Sequence, residues 1–160
     1  MKALWTILVV TALALIAGSC SSDAPRDDSG AIVEEGELDV FSVAVGDCFD
    51  DPPEIEDGGQ EITELAAVPC DQPHDNEVYH AYDLPDGEFG GPELVEAQAA
   101  DGCVDEFEGF VGLDYFESDL DIFWLTPTAD SWSNGDREVI CAVYAIDLTK
   151  LVGSVEGAAR

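Results

Sequence analysis

The chain has 160 residues, of which 36 are Asp or Glu and only 5 are Lys or Arg, giving a formal net charge of -31. A protein that binds nucleic acid or an anionic membrane through charge needs a basic surface, so this composition excludes both kinds of partner. Apolar residues make up 46% of the chain, far more than a disordered acidic protein carries. Because the length suits one hydrophobic core, we expect a single folded acidic domain.

The first residues have the pattern of an export signal. Lys2 precedes an apolar run over residues 4–17, and two small residues come directly before Cys20. The run is shorter than the roughly 20 apolar residues that a bilayer-spanning helix needs, and a polar stretch follows it. Residues 1–19 are therefore predicted to be a signal peptide rather than a retained membrane helix.

The residues around Cys20 resemble the lipobox of bacterial lipoproteins, in which the cysteine is acylated and becomes the mature N-terminus. The resemblance implies a domain anchored by lipid, such as palmitate, to the outer face of the cell membrane, since two or more acyl chains hold a protein there stably. An ordinary signal peptide that releases a secreted protein is the alternative. Residues 20–38 are rich in Ser, Asp, Glu and Gly, so we expect an acidic, flexible tether.

Four further cysteines are an even number in a compartment that oxidises thiols, so we expect two disulfides. They are Cys48, Cys70, Cys103 and Cys141. The sequence does not choose among the three possible pairings; pairing of nearest neighbours gives two separate loops, each worth roughly 3 to 4 kcal/mol on the chain-entropy model. A zinc site is disfavoured, because structural zinc sites use close pairs such as Cys-x2-Cys and the nearest two cysteines here lie 22 positions apart.

Beyond the tether, strand patterns alternate with loops. Apolar residues either alternate with polar ones or form short apolar runs, and the predicted strands cover residues 40–45, 64–70, 77–84, 120–124 and 139–146. The last of these is almost continuously apolar, which is typical of a central strand buried on both faces. Residues 50–60 are expected to form an acidic loop, and residues 128–134 a short turn or helix.

One long helix is predicted from Pro92 to about Gly112. Proline is favoured at the first helical position, and apolar residues recur at spacings of three or four. The predicted apolar stripe consists of Leu94, Ala97, Ala100, Val104, Phe107 and Val111. Cys103 lies beside it and could face a cysteine of the central strand. We therefore expect an α+β domain at residues 39–152, with a small, mainly antiparallel sheet of about five strands packed on one principal helix, and a polar tail at 153–160.

Four segments stand out in order along the chain: VGDCF at 45–49, VPCDQPHDNEVY at 68–79, Cys103 with FVG at 110–112, and PTADSWSNGDR at 127–137 with Cys141. Together they resemble the septum-formation domain family of actinobacterial secreted and membrane proteins. The resemblance covers about residues 40–155 and implies an extracytoplasmic domain with a role near the cell envelope or the division septum. The family offers no established catalytic residues to transfer.

The most distinctive polar cluster is His74 with Asp75 and Glu77. One hypothesis is a histidine that is oriented by a carboxylate and acts as a general base or metal ligand. We favour the other, a structural loop in which His74 caps a strand or contacts neighbouring backbone. His80 is expected to be an exposed cross-strand residue. Because no motif for a nucleophile accompanies the histidine, the sequence predicts no catalytic residue, metal or cofactor.

Trp132, Asp136 and Arg137 form a second candidate for interaction. Their segment superficially resembles a calcium loop with Gly135 at the sixth place, but Trp132 stands where a ligand belongs. We expect Trp132 to anchor the core, Gly135 to make a turn and Arg137 to pair with a carboxylate. The acidic residues over 50–57 could bind divalent cations weakly, although a solvated loop is the expectation.

The preferred interpretation is a lipid-anchored, non-catalytic extracytoplasmic domain that interacts with an unidentified envelope or division protein. One alternative is a cell-wall hydrolase that uses His74 with Asp75. Another is a lipoprotein that weakly captures a cation or a different ligand. The high acidity also resembles adaptation to salt water, which predicts that the fold becomes more stable as NaCl is added.

Overall fold

A computed structural model describes residues 23–51 and 62–160 of the chain. The predicted signal peptide, Cys20 and most of the acidic loop lie outside these ranges. The elements within them are β1 (Gly36–Asp39), β2 (Cys48–Asp50), β3 (Glu64–Val68), β4 (Asn76–Asp83), α1 (Pro92–Val111), β5 (Leu120–Leu125), α2 (Ala129–Ser133) and β6 (Glu138–Ala145). Short 3-10 helices follow β1 and precede β5, at Val40–Ser42 and Tyr115–Glu117.

The described strands form one six-stranded sheet in the order β1-β3-β2-β4-β6-β5, and every neighbouring pair is antiparallel. β6 lies between β4 and β5 and is buried at nearly every position, as its apolar run predicts. The register of β4 shifts at a bulge between Val78 and His80. The predicted α+β class is confirmed, but the sheet has six strands rather than about five.

The strand predicted over residues 40–45 does not form. Residues 40–42 make a 3-10 turn, and the following chain folds around Asp47, whose carboxylate accepts the Ala44 N–H at 2.8 Å. Phe41 is 66% exposed. The alternation of apolar and polar residues predicted a strand here, but the Ala44 N–H donates its hydrogen bond to a carboxylate and not to a neighbouring strand.

Residues 23–38 are not a flexible tether. Apolar side chains of this segment are buried against the sheet, and they are Ala24, Ile32 and Leu38. Arg26 donates two hydrogen bonds, of 2.5 and 2.7 Å, to the buried carboxylate of Asp47. The last residues of this N-terminal segment form β1, which pairs with β3. Composition alone predicted disorder for this segment, because three buried apolar residues and one ion pair between residues far apart in the sequence hardly change its amino-acid composition.

Helix α1 has the predicted bounds. It begins at Pro92 and is capped by Gly112, whose φ of 83° is the left-handed conformation that glycine adopts without strain. The buried face consists of Val95, Ala99, Cys103, Phe107 and Val111. The predicted stripe is therefore wrong in its N-terminal half, where Val95 and Ala99 are buried instead of Leu94 and Ala100. Leu94 is 51% exposed. Gly102 leaves room for the Tyr82 side chain of β4, because a Cβ there would lie 2.2 Å from the Tyr82 hydroxyl.

Two disulfides join the elements, as expected, and both link nearest neighbours along the chain. Cys103 in α1 is bonded to Cys141 in β6, which fastens the helix to the central strand. Cys48 at the start of β2 is bonded to Cys70, just after β3. Helix α1 packs on one face of the sheet, and the segment before β2 packs on part of the other.

The predicted polar tail at 153–160 is also packed on the domain. Val155 is buried in the cluster beneath α1. The N–H groups of Gly157 and Ala159 donate to the carbonyls of Phe110 and Val111, both at 2.8 Å. The last turn of a helix leaves carbonyl groups without intrahelical partners, and this tail supplies N–H donors for two of those carbonyls.

Candidate functional site

His74 is fully buried where the chain leading into β4 meets the segment after β6. Its main chain exchanges two hydrogen bonds with Leu151, of 3.0 and 2.8 Å. Its Nδ1 lies 2.8 Å from the carbonyl oxygen of Gln72, and since a carbonyl only accepts, Nδ1 carries the hydrogen. Nε2 has no hydrogen-bond partner among residues 23–51 and 62–160. These contacts agree with the structural interpretation, in which His74 contacts neighbouring backbone.

The two carboxylates near His74 are bonded elsewhere in the fold. Asp75 accepts the Asp51 N–H at 3.0 Å and lies 3.1 Å from the Lys150 ammonium. Glu77 is 2% exposed and accepts the Val155 N–H at 2.7 Å. Each carboxylate therefore fixes a different segment of the chain.

The contacts of Trp132 agree with its expected place in the core. It is 8% exposed, and its indole N–H donates to the Gly87 carbonyl at 3.0 Å. The Arg137 guanidinium carbon lies 3.9 Å from the centre of the Trp132 ring, a cation–π contact, and its Nε is 3.7 Å from the Asp86 carboxylate. Gly135 makes the turn, with a φ of 100°.

Asp136 holds the turn that leads into β6. Its two carboxylate oxygens accept the Ser131 hydroxyl at 2.7 Å and the Glu138 N–H at 3.0 Å. Helix α2 is capped at its N-terminus by the Thr128 side chain. Within residues 23–51 and 62–160, no three His, Cys, Asp or Glu side chains are grouped so that they could hold a metal ion.

A groove of about 330 Å³ opens beside the C-terminal end of β5, and we call it the β5 groove. Its apolar lining includes Phe41, Ile62, Phe123, Leu125 and Ile140. Its acidic lining is Glu96, Asp136 and Glu138. Apart from Asp136, none of these residues was a sequence candidate, because they come from separate stretches of the chain that only the folded sheet brings together.

The carboxylates of the β5 groove differ in their surroundings. Glu96 accepts the indole N–H of Trp124 at 2.6 Å and the Thr126 hydroxyl at 3.2 Å. Burial and nearby carboxylates, Asp136 among them, raise the pKa of Glu138. In the described part of the chain, no Lys, Arg or His nitrogen lies within 4.0 Å of any of these three groups. The groove therefore combines an apolar lining with uncompensated negative charge.

Comparison with known proteins assigns the family. The chain matches the family described as "Septum formation" over residues 22–141, which is most of its length and includes all four disulfide cysteines. No curated protein and no solved structure matches the chain. No helix in the described ranges has both the length and the hydropathy needed to cross a membrane. The match over most of the chain shows that it belongs to the septum-formation family.

Proposed function

We propose that this protein is a non-catalytic interaction module, held on the outer face of the cell membrane by lipid on Cys20 and acting at or near the division septum. Membership of the family indicates a module associated with the envelope or with division. One observation carries the interaction role: the β5 groove leaves apolar side chains accessible, whereas His74, Asp75 and Glu77 are bonded within the fold.

The disulfides support the extracytoplasmic part of the proposal. Cys48, Cys103 and Cys141 are all fully buried, and each is in a disulfide. Disulfides that fasten a small domain form and persist in oxidising compartments and are rare in the cytosol of most organisms. A domain stapled in this way is expected to fold after export.

The N-terminal segment supports a close attachment to the membrane. Arg26 binds the buried Asp47, so the chain is fixed to the domain from about residue 23 onward. Three peptide units separate Cys20 from Asp23, and fully extended they reach at most about 11 Å. A lipid on Cys20 would therefore keep the domain near the bilayer surface instead of at the end of a long tether.

Metabolic labelling with a palmitate analogue tests the anchor. The native chain and a Ser21→Ala control should incorporate the label, and Cys20→Ser should not, because acylation needs the thiol. Label retained in Cys20→Ser would contradict lipid attachment at this residue. Whether the protein acts at the septum is tested by imaging a fluorescent fusion in dividing cells, where a signal spread evenly around the envelope would contradict that role.

A further inference from the structure

We propose that the β5 groove binds an extended peptide segment of a partner protein in which Lys or Arg side chains alternate with aliphatic or aromatic ones. This inference rests on the interaction role proposed above and gives the chemistry of the partner. Three features of the described residues carry it: an apolar lining that the fold leaves uncovered, an acidic rim without internal counter-charge, and the neighbouring end of an edge strand.

The apolar lining lies on the face of the sheet opposite α1. Residues before β2 cover much of this face, where Ile32 and Val43 are buried. Near the end of β5 the described residues leave this cover incomplete, since Phe123 and Leu125 are only partly buried and Phe41 is 66% exposed. The volume of about 330 Å³ is typical of sites that take a small ligand or a few side chains.

The acidic rim calls for a cationic occupant. Glu96, Asp136 and Glu138 line the groove with no cationic side chain of the described residues within 4.0 Å. All four basic residues in the described ranges contact other carboxylates, in the pairs Arg26–Asp47, Arg137–Asp86, Lys150–Asp50 and Arg160–Asp119. The described part of the chain therefore has no cation left for this rim, and a partner's Lys or Arg would complement it.

The edge of the sheet favours an extended segment. β5 is the last strand in the sheet order, and its outward N–H groups alternate along the chain. The first two are already bonded, Leu120 N–H to the Ser118 hydroxyl and Ile122 N–H to the Asp121 carboxylate. Trp124 N–H points outward by the same alternation, beside the groove. An added strand could pair at this end and place every second side chain in the groove.

Charge argues against two other occupants. A second copy of the chain carries the same net charge of -31, and its described cations are already paired, so it would repel the rim. Residues 52–61, which precede Ile62, contain four carboxylates and no cation. Neither offers the positive charge that the rim lacks. We therefore assign the groove to a cationic peptide from a different protein.

Calorimetric titration tests the assignment with the full chain held in nanodiscs of phosphatidylcholine, a lipid without net charge. Three peptides of about seven residues serve as probes: one alternates Lys with Val or Phe, one has Glu in place of Lys, and one has Ser in place of the apolar residues. We expect only the first to bind, with a micromolar dissociation constant that weakens as NaCl is added. Empty nanodiscs provide the blank.

Matched variants locate the binding. The double variant Glu96→Gln with Glu138→Gln keeps similar side-chain shapes but removes two charges, and should weaken binding about tenfold. Phe41→Ser should weaken it several-fold. Phe116, which is 85% exposed, and Glu108 provide the controls, so Phe116→Ser and Glu108→Gln should change the affinity less than twofold. Circular dichroism of each variant identifies any that fails to fold, and the single Glu138→Gln variant then replaces the double one.

Several results would overturn the assignment. These are equal binding of the Glu peptide or the Ser peptide, no binding below about 1 mM, or an affinity that the groove variants leave unchanged. A concentration-dependent dimer without peptide that Phe41→Ser abolishes would assign the groove to a second copy instead. The titration needs neither acylation nor septal localisation, so its failure would leave the proposed anchoring at Cys20 standing, and a failed labelling experiment would leave the peptide result standing.

Discussion

Asp47 shows how one buried residue organises three segments of this small domain. Its carboxylate accepts two hydrogen bonds from Arg26 and one from the Ala44 N–H, while it is only 3% exposed. Its main-chain carbonyl accepts the Val78 N–H from β4 at 2.8 Å. The fixed position of the N-terminal segment therefore depends on a pair of residues 21 positions apart. Composition could not reveal this pair, because neither partner is unusual in its own neighbourhood.

Replacing Arg26 by Met should lower the free energy of unfolding by about 3 kcal/mol, because it leaves the Asp47 carboxylate buried without its counter-charge. Urea unfolding followed by tryptophan fluorescence measures the change. Arg160→Met breaks the more exposed pair with Asp119 and should cost no more than about 1 kcal/mol. Equal losses in the two variants would contradict the importance assigned to Asp47.

Glu138 gives a prediction about pH. Burial, with Asp83 and Asp136 nearby, raises its pKa in the folded state above the usual value of 4.5. The folded state then holds this proton more tightly than the unfolded state, so ionisation of Glu138 lowers stability as the pH rises from about 4.5 through the higher folded pKa. Glu138→Gln should therefore raise the free energy of unfolding at pH 7 by less than about 1 kcal/mol, the scale of a partly exposed charge. Urea unfolding at pH 7 and pH 3 checks this; an equal gain at both would contradict it.

At the scale of elements, the sequence predicts the bounds of α1 better than the rotation of the helix about its own axis, which decides the face that is buried. Pro92 and Gly112 mark the ends by local chemistry, and both bounds are correct. Neighbouring apolar pairs, Leu94 with Val95 and Ala99 with Ala100, let two overlapping apolar stripes fit the helical period, and local spacing does not choose between them. The rotation is set by distant contacts, the disulfide from Cys103 to β6 and the close approach of Gly102 to Tyr82.

Two glycines of α1 make a matched test of that packing. The methyl group of Gly109→Ala would meet no described residue within 4 Å, so this variant should raise the free energy of unfolding by about 0.5 to 1 kcal/mol, because alanine favours a helix. Gly102→Ala should lower it, since the added methyl would displace the Tyr82 ring and its 2.9 Å hydrogen bond to the Gln98 carbonyl. Thermal unfolding of both variants measures this, and a gain from Gly102→Ala would show that the Tyr82 side chain moves aside at little cost.

At the scale of the whole molecule, the α+β class and the two disulfides follow from sequence, but the β5 groove does not. Strand and helix periods and an even number of cysteines are local signals. The groove joins Phe41, Glu96, Phe123 and Glu138, which lie far apart in the chain and meet only in the folded domain. His74 and Trp132 are distinctive residues in the sequence, yet their contacts are those of the core and the loops.

The net charge of -31 leads to the last prediction, which concerns salt. Most of the acidic residues have no cation to pair with, so their mutual repulsion weakens the compact state at low ionic strength. Raising NaCl from 0.05 to 1 M shortens the screening length to about 3 Å and should stabilise the fold by more than about 1 kcal/mol in urea unfolding.

Helix α1 offers a control that separates screening from a general effect of salt. Asp101, Asp105 and Glu108 are exposed and lie three or four residues apart, where like charges repel along a helix face. Replacing them by Asn, Asn and Gln removes three of these charges, so the variant should be more stable at low salt and should gain less from NaCl than the native chain. A stability that is flat from low to high salt would contradict repulsion as a significant destabilising force. Equal gains in both proteins would mean that NaCl acts on the fold in general, and that these carboxylates tolerate one another at the surface.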